Sequence, residues 1–305
     1  MTQFKPNKLG PVVIKAASSN TLSDTYRDSI AISYQFIGSS VPETRFQWED
    51  RVFSTPIMAG PIGGPERKGE DGTLNYARAV RDAGAVFWTG YHEKDIWPRI
   101  LSEGIPAVRV IKPLADLNRL LEEVRFDTEH GAIGYATDIN HALTVYGELD
   151  SQEEGDFAPK TVEDLRRIND ASPLPFFIKG ILSVHDALLA KEAGVAGIVL
   201  SGHNNRFPCT VPPLRLLPEV RKAVGSELRI FIDGGLNNGY DAFKALALGA
   251  DGVLTARGLV ATYLKDGAEG ATNKLLEMTA ELKGAMANTG STDLQHINSG
   301  ALVFL

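Results

Sequence analysis

From Pro56 almost to the C-terminus, short β-branched or aromatic runs alternate with amphipathic stretches of helical period. The runs predict strands at Ile57 to Ala59, Ala85 to Thr89, Ala107 to Lys112, Ala132 to Ala136, Phe176 to Lys179, Gly197 to Ser201, Arg229 to Ile232 and Gly252 to Ala256. Between and after them, helices are expected at Leu74 to Ala83, Glu93 to Ser102, Leu114 to Val124, Val162 to Ile168, Val184 to Ala193, Leu216 to Val224, Tyr240 to Leu248 and Leu259 to Leu264. Two local signals support the helices: Ser183 with Asp186 three residues on forms an acidic capping pattern, and Gly194 and Gly249 stand where helices stop. A strand followed by a helix returns parallel to itself, and eight such units with short connections favour a closed (β/α)8 TIM barrel over an open sheet.

A chain of 305 residues with 43% hydrophobic content can bury one large α/β core, so residues 1–305 are expected to form one barrel domain. The first 50 or so residues fit no barrel unit. Within this N-terminal extension, Leu9 to Ala17 with Ile30 to Phe36 is expected to form a lid or cap on one barrel end. At the other terminus, Ala268 to Thr289 reads as a helix packed outside the barrel. Thr137 to Lys160 is abnormally long for a connection and carries Glu148, Asp150, Glu153, Glu154 and Asp156. A loop of that length is either a substrate cover or a disordered acidic insertion.

A net charge of -7 without any Lys/Arg cluster argues against nucleic-acid and anionic-membrane partners. No apolar run approaches the ~20 residues of a membrane span. One cysteine, Cys209, precludes an internal disulfide, and with no secretory pattern at the N-terminus a cytoplasmic location is expected. No Walker motif and no Cys/His cluster with metal-ligand spacing is present, so no metal is expected. Gly60 to Gly64 (GPIGG) lacks dinucleotide-fingerprint spacing and instead suits close approach of a flat ligand to the backbone.

Chemistry concentrates where the later strands end. Phe176-Phe177-Ile178 runs into Lys179-Gly180, and Gly197 to Leu200 into SGHNNRF from Ser201 to Phe207. Arg229 to Ile232 runs into Asp233-Gly234-Gly235, and Val253-Leu254-Thr255 into Ala256-Arg257. Polar groups at successive strand ends are how barrel enzymes build active sites, and the last two loops are a common phosphate site. Gly234 and Gly235 either expose backbone N–H groups to a phosphate beside Arg257 or merely make a tight turn. A histidine followed three residues later by an arginine, His203 and Arg206, suits proton transfer and bidentate carboxylate binding.

The segments KGI at Lys179, SGHNNR at Ser201, DGG at Asp233, KALALGAD at Lys244 and AR at Ala256 resemble the FMN-dependent α-hydroxy-acid oxidases and dehydrogenases, the family of glycolate and lactate oxidases. Fainter likeness extends to TPIMAGPIGG at Thr55, TD at Thr137 and ELKGAMANTG at Glu281. The resemblance implies FMN as cofactor, held by Ala59, Gly60, Pro61, Thr89, Lys179, Ser201, Asp233, Gly234, Gly235, Ala256 and Arg257. It further implies a small 2-hydroxy acid as substrate and a homo-oligomer, commonly a tetramer. In the implied chemistry His203 is the base, Asp138 its carboxylate partner, Lys179 the cation that stabilises the reduced flavin, and Arg206 the carboxylate clamp.

Several positions depart from the family pattern. Asn204 and Asn205 stand where N-H-G-G-R has glycines, Asn237 where an arginine follows the diglycine, Ala256 where a glycine precedes the arginine, and Ala136 where a threonine precedes the aspartate. The third strand lacks the family's glutamine and tyrosines, and Arg109 falls where a tyrosine helps to hold the substrate, so Arg109 is expected to supply that charge. Alternatives are a non-redox FMN barrel resembling type 2 isopentenyl-diphosphate isomerase, or a binding protein whose flavin site has decayed.

Overall fold

The computed structural model describes residues 18–90 and 96–305. Before the barrel come helix α1 (Ser19–Asp28) and three short strands, β1 (Ile30–Ile32), β2 (Phe46–Trp48) and β3 (Arg51–Phe53). The first half of the barrel then runs β4 (Ile57–Ala59), α2 (Gly72–Asp82), β5 (Phe87–Gly90), α3 (Trp97–Ser102), β6 (Ala107–Ile111), α4 (Leu117–Glu129) and β7 (Gly134–Asp138). A small hairpin, β8 (Ser151–Gln152) with β9 (Gly155–Asp156), precedes α5 (Val162–Asn169). The second half is β10 (Phe176–Ile181), α6 (Val184–Glu192), β11 (Gly197–Leu200), α7 (Pro213–Val224), β12 (Arg229–Asp233), α8 (Gly239–Ala247), β13 (Gly252–Thr255) and α9 (Arg257–Ala287), with β14 (Leu302–Phe304) at the end.

The eight parallel strands β4 to β7 and β10 to β13 close on themselves, with β13 returning to β4 and β7 pairing with β10. The (β/α)8 barrel expected from the alternation is thus the fold. Period-two geometry divides each strand between two cores. Met58, Trp88, Val108, Val110, Ala136, Phe177, Val199, Phe231 and Leu254 fill the interior. Ile57, Phe87, Ala107, Ile111, Tyr135, Ile178, Ile198 and Ile232 face the helices.

The β2–β3 hairpin stoppers the N-terminal end of the barrel. Trp48 stacks on Phe231 with centroids 5.7 Å apart and planes at 8°, and its Nε1 donates to the Ile133 carbonyl at 3.0 Å. Burying one such ring is worth roughly 5 kcal/mol of transfer free energy. The expected cap is therefore residues 46–53 rather than the region around Ile30. Ile30–Ile32 instead pairs antiparallel with Leu302–Phe304, tying the two ends of the described chain together. Leu9 to Ala17, and Glu93 at the start of the second expected helix, lie outside the described residues.

At the opposite end, α1 docks on the loop after β11. Asn205 Oδ1 accepts from the Ser19 N–H at 2.6 Å, and Asn204 Oδ1 accepts from Asn20 Nδ2 at 3.0 Å. Both asparagines have positive φ, 52° and 64°, a region that asparagine tolerates better than other side chains. Where glycine would give only backbone freedom, asparagine adds the side-chain oxygens that hold α1. The two expected C-terminal helices are one element, α9, interrupted at Gly267 (φ 74°). The acidic connection is ordered: its hairpin and the bridges Leu114 to Phe157 and Leu143 to Leu149 fold it back over the barrel, with Phe157 fully buried. Among the described residues no helix is long and apolar enough to cross a membrane.

Candidate active site

The interior parity that packs Val110, Ala136, Phe177, Val199 and Phe231 brings the residue two places further along each strand to the C-terminal mouth. Those residues are Lys112, Asp138, Lys179, Ser201 and Asp233, from five adjacent strands. Five polar groups thus ring a dry apolar core at one level. Lys179 Nζ lies 3.5 Å from Asp138 Oδ1, 3.3 Å from Ser201 Oγ and 3.9 Å from Asp233 Oδ2. Ser201 Oγ donates to Asp233 at 3.0 Å. Lys112 Nζ stands 3.7 Å from Asp138 Oδ2.

His203 sits above this ring with Nδ1 3.0 Å from Asp138 Oδ2, and its backbone N–H donates to Ser201 Oγ at 3.2 Å. Burial opposes charge on Asp138, but Lys179, His203 and Lys112 outweigh it and hold the carboxyl well below the usual carboxylate range. A carboxylate that stays charged fixes the His203 tautomer with its proton on Nδ1, leaving Nε2 as the basic nitrogen. Burial lowers the titration of Lys112, with the Asp138 charge opposing it and Lys179 assisting.

Arg206 reaches across the mouth rather than into it. Its Nε donates to the Asn140 carbonyl at 2.7 Å, while Nη2 donates to the Leu143 carbonyl at 3.0 Å and to Asp150 Oδ2 at 2.5 Å. A carboxylate of the acidic connection therefore already occupies this guanidinium, so the connection is part of the site.

Arg109 does not belong to it. Odd residues of β6 face the helices, so the Arg109 guanidinium lies buried between strand and α4, bonded to Asp127 at 3.0 Å and to Glu123. The cation that β6 sends to the mouth is Lys112, which ends its apolar run as Lys179 ends another; Arg109 interrupts its run. Thr89, in register with Arg109 on β5, shares its outward parity, and Ala59 is outward in the same way. Their side chains face the helix layer, leaving only backbone for a ligand at the mouth. His141 is also at the mouth, with Nε2 3.2 Å from His203 Nε2. No sequence signal marked it, since its position depends on the short 3-10 turn Ile139–His141 after β7.

Beside the ring a cleft of about 760 Å³ including its opening runs from Lys179 and His203 past Pro61 to Gly234, Gly235, Ala256 and Arg257. At its far end α9 begins at Arg257 with no side-chain cap on its first turn. Free N–H groups and the positive end of the helix dipole there suit a phosphate. Gly234 and Gly235 take φ of 119° and 78°, and a Cβ on Gly235 would come within 3.0 Å of Asp24 and 3.2 Å of Arg27. A phosphate-bearing flat ligand with its reactive end over Lys179 fits these groups. Asp138, His141 and His203 bring donor atoms within 4.8 Å of one another, but Lys112, Lys179 and Arg206 surround them with positive charge, which favours proton handling over binding a metal cation.

Fold and site together define a barrel whose mouth sets a phosphate-suited cleft beside a carboxylate-oriented histidine. The sequence profile of the FMN-dependent dehydrogenases matches residues 127–303, and the chain belongs to that family, whose cofactor is FMN. It is 41% identical over 46% of its length to an L-lactate oxidase of Alicycliphilus denitrificans, and 29% identical over 80% of its length to glycolate oxidase 3 of Arabidopsis thaliana. The aligned parts take in 39% of the first relative and 76% of the second. The crystal structure of a mandelate oxidase superposes with a TM-score of 0.85 at 25% identity, covering 94% of this chain and 91% of that one.

Proposed function

We propose that this chain oxidises a small 2-hydroxy acid to the corresponding 2-oxo acid, with FMN as the two-electron acceptor. The observation that carries the reading is the Asp138–His203 pair at the mouth, with His203 Nε2 as the basic nitrogen and the buried Lys179 ammonium below the cleft. Asp138 holds the His203 tautomer and stabilises the imidazolium that forms on proton uptake. Lys179 sets a positive charge where electron density accumulates. Gly234, Gly235 and the α9 N-terminus with Arg257 hold the cofactor phosphate, while Gly60, Pro61, Ser201 and Asp233 line its path. Lys112 faces the substrate carboxylate, and Arg206 grips it after exchanging Asp150. When bound, FMN supplies the redox chemistry that no side chain here can.

The exposed apolar residues Phe36, Ile37 and Val41, with Phe304 and Leu305, support assembly of several copies, which sedimentation would read directly. The function is tested by anaerobic titration of the FMN-saturated protein with a panel of 2-hydroxy acids. Bleaching of the flavin band near about 450 nm by one of them is expected. Flavin that binds but bleaches with none would move the site to non-redox chemistry, and absence of flavin binding would leave a decayed barrel.

A further inference from the structure

His141 is 6% exposed inside the mouth. Its ring lies 4.3 Å from that of His203 at an interplanar angle of 68°, and the two Nε2 atoms are 3.2 Å apart. Two imidazole nitrogens at that distance share one proton, since two facing lone pairs repel and two facing N–H groups collide. The remaining partners decide which ring carries it. Asp138 Oδ2, 3.0 Å from His203 Nδ1, can only accept, so a neutral His203 presents a lone pair at Nε2. His141 must then be the donor, protonated on Nε2, and its Nδ1 lone pair faces the Gln152 amide nitrogen at 3.4 Å. The hydrogen bonds thus run in one direction, from Gln152 to His141, from His141 to His203, and from His203 to the acceptor Asp138.

A hydroxyl group is both donor and acceptor, and it is the group that satisfies both nitrogens at once. We propose that His141 is a second catalytic histidine: the substrate hydroxyl replaces the direct bond between the two Nε2 atoms, which move apart to admit it, giving its proton to His203 while accepting the N–H of His141. This rests on the oxidation proposed above. The O–H bond breaks and an N–H bond forms on His203. The pair left on oxygen becomes the new C=O π bond as the C2 hydrogen leaves with both electrons of its bond, as a hydride, to the acceptor already named. His141 keeps its proton throughout and stabilises the negative charge that develops on oxygen.

Its surroundings suit a neutral donor. Burial pushes the His141 imidazole down to about 3, with Asp138 opposing and Lys112, His203 and Arg206 assisting. Asp150 Oδ2 is 4.0 Å from its Nδ1. Among these groups only Asp138 and Asp150 favour the charged ring, and Asp150 is engaged by Arg206. A ring that does not become an imidazolium near neutral pH leaves His203 as the proton acceptor.

The test compares wild type with His141→Phe, which keeps a planar ring without a donor, and His141→Gln, which restores an N–H. Flavin bleaching by the active 2-hydroxy acid is followed under anaerobic conditions from pH 5 to 9. Nitrogen-15 signals of the histidine rings are recorded on FMN-free protein. His141→Phe is expected to bind FMN as wild type does and to bleach about 100-fold more slowly, with His141→Gln recovering at least a tenth of the wild-type rate. In wild type the ring signals should show the proton on His141 Nε2 and on His203 Nδ1, and the low-pH limb of the bleaching profile should shift in His141→Phe. Bleaching within threefold of wild type in His141→Phe, a Gln variant no better than Phe, or the opposite tautomer on His141 would each overturn the role. Failure of wild type to bleach with any acid is a separate result, which overturns the proposed oxidation and this role with it.

Discussion

Arg109 and Lys112 leave the same strand on opposite faces. Arg109 is neutralised within the wall of the barrel by Asp127 and Glu123, whereas Lys112 stands in the mouth beside Asp138, with Lys179 sharing the same carboxylate. The carboxylates respond in opposite directions. Burial raises Asp127 to about 6 despite Arg109, while Asp138, equally buried but faced by two lysines and His203, is held well below its usual range. The wall spends its arginine on structure and the mouth accumulates positive charge that an incoming carboxylate can use. One strand therefore serves stability on one side and chemistry on the other.

Removing each cation separates these roles. Arg109→Met leaves the buried Asp127 and the partly exposed Glu123 without their shared partner and should lower stability by about 3–5 kcal/mol, read as a fall in the urea midpoint, with the KM of the folded fraction unchanged. Lys112→Met should do the reverse: little loss of stability, and a KM for the 2-hydroxy acid raised about 10- to 100-fold, the equivalent of losing one charge-assisted hydrogen bond. If Arg109→Met raised KM with stability intact, the parity argument would fail for this strand.

The two carboxylates sharpen the comparison through pH. A carboxyl whose folded value is raised contributes stability that is fully present below the unfolded value of about 3.9 and is lost as pH rises through about 6. Asp138 is the converse, contributing above the ordinary range and losing its contribution only as pH falls through its depressed value. Asp127→Asn removes the first dependence. Relative to wild type, its unfolding free energy should improve by about 2 kcal/mol between pH 4.5 and 7.5. A gap that stays constant across that interval would mean that Arg109 keeps Asp127 charged throughout.

The barrel was legible because helical and strand periods alternate eight times, and the mouth because Lys179, the Ser201 to Arg206 segment and Asp233 each follow an apolar run. Arg109 was misplaced because parallel strands buried on both faces read as continuous hydrophobic runs, so inward and outward positions look alike in sequence. Trp48 and its hairpin were not legible as the barrel floor, since their partners Trp88, Phe177 and Phe231 lie far along the chain. Nor was His141, whose partner is 62 residues away and whose approach depends on a turn that only the folded connection makes. The asparagines after His203 read as departures from a pattern. Their use became visible once α1 was seen to dock on them.

The acidic connection offers the smallest and most discriminating test. Asp150 Oδ2 occupies the Arg206 guanidinium at 2.5 Å, and Arg206 assists in keeping that carboxyl charged against its partial burial. A substrate carboxylate of the same charge and shape must displace it to reach Arg206, and the binding observed is the difference between the two pairings. Asp150→Asn keeps the size and one acceptor oxygen but removes the competing charge. It should tighten binding of a 2-oxo acid severalfold, measured by the perturbation of the flavin spectrum, and release the connection to exchange amide hydrogens faster. Weaker binding in this variant would mean that Asp150 aims Arg206 rather than competing for it. Because the same carboxylate faces His141 Nδ1, its exchange for substrate would also leave Gln152 as the partner of that nitrogen, so clamp and proton acceptor would be set by one event at the mouth.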